Sequence, residues 1–156
     1  MQPNMQKHQL TEEERAQLLK TAADGVLATV NADGSPYGVP VQFVWMDGRI
    51  YIHGRAAGQK YENVQRDGRC TFTVYRNLGL LMTGETACRT TTKFESVIVT
   101  GKAGPVTDET LRQRVVRAIS DKYGRAGVAF PPEAVARIGI IEVVPETVTG
   151  KYGGRF

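Results

Sequence analysis

The chain is poor in the residues that usually carry catalysis. It has 2 cysteines and 2 histidines among 156 residues. Cys70 and Cys88 form no CxxC pair, so neither a zinc knuckle nor a disulfide framework is expected, and both thiols are read as reduced. No GxSxG, HExxH or Walker-type loop occurs, which leaves no serine-hydrolase, zincin or P-loop site and no expected metal centre. No stretch approaches the roughly 18 apolar residues of a membrane helix. Met1–Gln9 is polar, with no apolar core of a secretory signal, so a cytoplasmic location without membrane contact is expected. The net charge is +4 and the pI about 9.2, yet no block of like charge appears, so a nucleic-acid stripe is not expected. A mild positive excess suits a phosphorylated cofactor without deciding for one. With no repeat, low-complexity tract or Pro/Gly-rich linker, residues 1–156 read as one domain, the first ten flexible.

What is present is mostly strand. Thr11–Ala22 predicts a helix, with Thr11 as N-cap and Glu14 completing a capping box. The period then changes to that of strands: Gly25–Asn31, Tyr37–Met46 and Arg49–His53, punctuated by Asp33-Gly34 and Asp47-Gly48. Pro36 and Pro40 beside or within the second strand predict that this stretch is an edge or faces something other than a strand. Gly54–Asp67 reads as a loop and a short helix, Arg69–Tyr75 as a fourth strand, and Asn77–Cys88 as a loop broken by Gly79 and Gly84. Thr90–Ala103 predicts a fifth strand bent at Gly101. A helix over Asp108–Lys122 follows, capped by Thr107, with Leu111, Val115, Ala118 and Ile119 inward. Pro131-Pro132 starts a short helical turn, Arg137–Val144 a sixth strand, and Thr147–Tyr152 a short seventh. Five to seven antiparallel strands with helices at the margins predict a small barrel, which hides its strand edges.

The chemistry concentrates in His53-Gly54-Arg55-Ala56-Ala57-Gly58-Gln59-Lys60. A strand ends, glycines let a ligand approach the backbone, and a helix begins beside Arg55 and Lys60, a ready anion site. Alone, the segment reads equally as a strand-to-helix turn with solvated basic residues, and His53 as a hydrogen-bonded strand-end histidine.

The order of motifs adds to this. Gly25-Val26-Leu27-Ala28-Thr29-Val30, then Asp33-Gly34-Ser35-Pro36-Tyr37, Val39-Pro40-Val41, and Tyr51-Ile52-His53-Gly54 through Lys60 resembles the flavin-binding split barrel of the pyridoxamine phosphate oxidase superfamily. Phe94-Glu95-Ser96-Val97-Ile98-Val99 with Gly101-Lys102-Ala103 is similar to the matching strand of Nim-type nitroimidazole-resistance proteins. The resemblance covers Thr11 to Tyr152. It implies a mainly β fold, an antiparallel split β-barrel with peripheral helices, and a homodimer with FMN at sites between the subunits. Lys60 matches the residue that meets the FMN phosphate, and Val39, Pro40 and Val41 the strand whose backbone follows the flavin ring. His53 and Gly54 match the wall near the ring, and Glu95 and Ser96 positions that reach the cofactor.

The Trp-Arg-Leu type motif of true pyridoxamine phosphate oxidases is absent: the chain reads Ile138-Gly139-Ile140-Ile141-Glu142-Val143-Val144, then Thr149-Gly150-Lys151-Tyr152. Oxidation of pyridoxamine phosphate is therefore not expected. The resemblance implies an FMN-dependent oxidoreductase reducing a small organic acceptor such as a nitroaromatic, with His53 as the ring-side group able to exchange a proton. A non-catalytic flavin carrier, a haem protein ligated by His53, or a deazaflavin in place of FMN stay open. Phe43, Trp45 and Val97 are candidates for apolar surface buried between subunits.

Overall fold

The tightest element is the hairpin at Asp47-Gly48, where both residues have positive φ, 53° and 72°. That is the turn whose twist matches two antiparallel strands. It joins β2 (Pro36–Met46) to β3 (Arg49–Arg55). Around this hairpin the computed structural model, which describes residues 6–154, folds six antiparallel strands into a closed barrel in the order β1-β2-β3-β6-β5-β4. The other strands are β1 (Asp24–Val30), β4 (Arg69–Met82), β5 (Thr90–Pro105) and β6 (Ile138–Gly153). The helices are α1 (Glu12–Thr21), α2 (Gln59–Arg66), α3 (Glu109–Lys122) and the single turn α4 (Pro132–Val135).

Side chains alternate across the barrel wall. Leu27, Phe43, Ile52, Phe72, Val97 and Val99 are fully buried inside it, and Phe43 meets Phe72 edge-on at 4.7 Å. Leu18 and Leu19 of α1 and Val64 of α2 complete this core. A second apolar layer lies outside the wall, where Val44, Tyr51 and Ile140 meet Val115, Val116 and Ile119 of α3.

The predicted capping box stands: the Glu14 amide donates to Thr11 Oγ1, and the Thr11 amide to Glu14 Oε2. Several expectations need correction. α3 is capped by Asp108, not Thr107, because the Asp108 carboxylate accepts from the Leu111 amide at 2.7 Å. β4 runs on through Met82, since Gly79 introduces a bulge and not an end. The expected sixth and seventh strands are one, β6, with Glu146 as the extra residue where the register shifts. The bend at Gly101 is present, and a Cβ there would lie 2.1 Å from the Val144 carbonyl oxygen. Phe43 and Val97 are core, not interface, at 0% exposure, and Trp45 packs against the core. Of the first ten residues expected to be flexible, Met1–Met5 lie outside the described residues and 8–10 are tied to β6. Leu10 is buried, its amide bonds to Gly150, and the Tyr152 amide bonds to His8.

Candidate functional site

The barrel is split on one side. β2 pairs with β1 from Pro36 to Gln42, but with β3 only from Phe43 to Met46. β3 continues past Ile52 beside β6, as far as Arg55↔Ile138. Between Gln42 and His53 the two strands therefore part. The two-residue turn makes Met46↔Arg49 a hydrogen-bonded pair, so by alternation even-numbered residues of β2 aim their peptide groups at the gap. Pro36 and Pro40 fall in this set and have no N–H to leave unpaired. The expected edge is thus present. Val39 and Val41 turn their peptide groups to β1 and their side chains to the barrel interior, while Pro40 is exposed outside.

A latch holds the other side of β2. The Phe43 amide donates to Tyr123 Oη at 3.0 Å, Lys122 Nζ donates to the Phe43 carbonyl at 2.8 Å, and Tyr123 Oη lies 2.5 Å from the Ala23 carbonyl. The Lys122 ammonium also sits 4.0 Å above the Phe43 ring. Burial pushes the Lys122 amine down to about 8. At the point where β2 leaves β1, side chains of α3 take the place of the missing strand.

Beside the split lies a cavity of about 380 Å³, lined by Gln42, His53, Val116, Ile119, Tyr123 and Phe130 among others. Its size and apolar walls are those of a small-molecule pocket. His53 faces it from the outer side of β3, on the same face as Tyr51. Its Nδ1 is buried and has no hydrogen-bond partner among the described residues. Burial, and then the Lys60 ammonium, hold the imidazole below its ordinary pKa, so it is neutral at neutral pH.

Lys60 lies directly over Gly54: a Cβ on Gly54 would sit 3.2 Å from Lys60 Nζ. Lys60 belongs to the first turn of α2, whose N-cap, Gly58, has φ +93° and no side chain to cap the amides. Glu62 Oε1 accepts from the Gly58 amide at 3.3 Å, a weak bond at the same turn. A buried polar network fixes α2: Asn63 Nδ2 donates to Thr29 Oγ1 and Asn31 Oδ1, and Gln59 Nε2 to Asn31 Oδ1. Asn63, Lys122 and Tyr123 escaped the sequence reading. A polar residue at the inward position before Val64 was the one signal for Asn63.

The sequence profile of the pyridoxamine 5'-phosphate oxidase family matches residues 11–152. The chain belongs to that family. Several solved structures share its fold. A candidate 5-nitroimidazole antibiotic resistance protein from Bacteroides thetaiotaomicron superposes with a TM-score of 0.80 at 21% identity, over 92% of this chain and 86% of that one. A FAD and haem binding protein from Mycobacterium smegmatis gives 0.83 at 17% identity, over 96% and 75%. A FAD-binding protein from Mesorhizobium loti gives 0.68 at 21%, over 94% and 97%. At these identities the likeness is one of fold. Among curated protein sequences none matches.

In this member of the pyridoxamine 5'-phosphate oxidase family the singled-out residues fall into two groups. The free edge of β2 at Val39–Val41 and the end of β3 at His53 and Gly54 border the same split, and Lys60 lies over Gly54. Glu95 and Ser96 do not join them. Gly54 pairs with Gly139 of β6 and Glu95 with Tyr152, so the two groups are 152 − 139 = 13 residues apart on that strand, or on the order of 40 Å of extended chain. Glu95 lies instead by Arg76, at 3.9 Å.

Proposed function

We propose that this chain is an FMN-binding oxidoreductase of the cytoplasm, reducing a small organic acceptor with nitroaromatics as the favoured class. It would act as a homodimer with the cofactor between subunits. The observation that carries this is the His53 imidazole beside the split, whose Nδ1 is buried without a partner among the described residues, with the Lys60 ammonium over the neighbouring Gly54. A buried polar atom without a partner is costly unless a ligand satisfies it. The split also offers polar backbone along one wall and an anion-binding helix start at its end, which fits a flat polar-rimmed ring carrying a phosphate.

In that arrangement Lys60 and the first amides of α2 hold the phosphate. The Gly38 and Gln42 peptide groups and the Pro40 carbonyl, on the free edge of β2, would hold the polar rim of the ring. This refines the expectation for Val39 and Val41, whose own peptide groups face β1. Bound FMN supplies the two-electron redox couple. His53 presents a neutral nitrogen to the cavity, able to hold or pass a proton to the acceptor. Far from the split within one chain, Glu95 and Ser96 would belong to the site of the second copy in the proposed homodimer.

The absorption spectrum of freshly purified protein tests the cofactor. Flavin bands, or a flavin spectrum that sharpens on titration with FMN, are expected. A Soret band that His53→Ala abolishes would favour haem, since an unpartnered imidazole nitrogen is also what an axial ligand presents. Lys60→Ala tests the phosphate contact. FMN binding should weaken by about 1.5–3 kcal/mol, the worth of a hydrogen bond to a charged group, and riboflavin binding much less. Equal losses for both ligands would reject that role.

A further inference from the structure

Between Asn77 and Leu80 the β4–β5 ladder slips: Asn77 pairs with Phe94 and Leu80 with Thr92, so β4 spends two residues, Leu78 and Gly79, where β5 spends one. Gly79 has φ +98°, the left-handed geometry of a bulge. Without the extra residue, odd-numbered positions of β4 would go on facing outward, as Tyr75 does. With it, Leu80 and Met82 face outward instead, opposite Thr92 and Thr90. They thereby stay on the face that carries Tyr75, Ser96 and Ile98.

That face is continuous with the barrel's outer wall. A row of paired residues crosses it: Pro40, Val26, Thr73, Ile98 and Thr149, on five successive strands. Val26, Ile98 and Tyr75 are exposed there, and exposure rises along the ribbon to 68% at Leu80 and 72% at Met82. Past Tyr75 the ribbon has no third strand on the β4 side, since β1 pairs only with Thr71–Thr73. A bare two-stranded ribbon with an apolar face is marginal in water, and a contiguous apolar patch marks a contact surface.

We propose that this ribbon, from Asn77 to Phe94, is a clasp that lays Leu80 and Met82 on a second copy of this chain. The inference rests on the two-fold dimer proposed above and adds the element that secures it. The dimensions agree. Five strands spaced roughly 4.8 Å apart, over about 20 Å of length, present ~500 Å², and the ribbon adds ~200 Å². The sum approaches the ~800 Å² that each partner of a stable complex buries. Two-fold contact across this face sets the Pro40 end of one copy against the Ser96 end of the other. The clasp, continuing past Ser96, then runs beyond the split of the partner's barrel.

Cys88, exposed in the turn of the ribbon, is a built-in reporter, because Cys70 is buried. The test uses the full chain. A 1:1 mixture of unlabelled and ¹⁵N-labelled protein is modified at Cys88 with benzophenone maleimide and irradiated, and the cross-linked peptides are read by mass spectrometry. Sedimentation equilibrium gives the dimer constant of wild type and of the double variant Leu80→Lys/Met82→Lys. Mixed-isotope cross-links and a dimer constant weakened at least tenfold are expected. Cross-links confined to single chains, with an unchanged constant, would overturn the clasp and leave the dimer standing. A wild type that is monomeric at micromolar concentration would overturn both. Should the double variant lose its fold by circular dichroism, the wild-type cross-links decide alone.

Discussion

At the scale of single residues, His53 carries the most specific claim. Its imidazole is half-buried and neutral, with Nδ1 unpartnered among the described residues. His53→Ala should leave FMN affinity within about tenfold, or ~1.4 kcal/mol, while turnover with a nitroaromatic falls on the order of 100-fold if the ring delivers a proton. Normal binding with normal turnover would return His53 to a structural role. The lowered pKa also has a stability consequence. The unfolded chain takes up the proton near the ordinary imidazole value of 6.5, and the folded one only at lower pH, so between these values the unfolded state binds more protons. This part of the stability is full above pH 6.5 and is lost as pH falls toward the folded value. Thermal melts between pH 5 and 7 should show a drop in wild type that is smaller in His53→Gln. Parallel curves would contradict the burial of His53.

At the scale of elements, the latch between α3 and β2 makes the clearest prediction. Tyr123→Phe removes one hydroxyl and leaves the Phe43 amide, inside the barrel wall, without its acceptor. A buried amide stripped of its partner costs about 1–3 kcal/mol, so the melting temperature should fall and exchange of the Phe43 amide should quicken. An amide protected equally in both proteins would show that the bond does not hold β2. The same latch shows where the sequence was informative. The Thr11–Glu14 capping box and the Asp47-Gly48 turn involve neighbours, and their chemistry can be read locally. So can the run from His53 to Lys60, because a strand end, two glycines and a helix start follow one another. Tyr123 meets Phe43 across 80 residues of chain, and no spacing announces it. The bulges at Gly79 and Glu146 are equally hidden, for they exist only relative to the partner strand. Alternation along β2 and β5 marked Phe43 and Val97 as apolar but could not tell the inside of a barrel from an outer face.

At the scale of the whole molecule, the division of the site residues is what matters. The β2 edge and the His53–Gly54 end of β3 border the split with Lys60 over Gly54, while Glu95 and Ser96 pair far along β6 from it. On the dimer reading proposed above, a single copy builds half of the site. Ile98→Lys, in the centre of the exposed outer face, should shift the sedimentation equilibrium toward monomer and weaken FMN binding in parallel, with the melting temperature of the isolated fold little changed. A monomeric variant that keeps full FMN affinity would show that one chain suffices.

The pairing order also sets a schedule for biosynthesis. β2 and β3 are joined by a two-residue turn and can meet as soon as both have left the ribosome. The other border of β3 is β6, through Ile50↔Val143 and His53↔Ile140, some 90 residues later in synthesis. β6 also closes the ring against β5. Until that last strand arrives, the nascent chain holds one lip of the cleft and an open sheet, and the wall that orders His53 is missing. On the proposed reading, cofactor capture follows synthesis of β6, and a chain stalled before residue 138 carries exposed sheet edges.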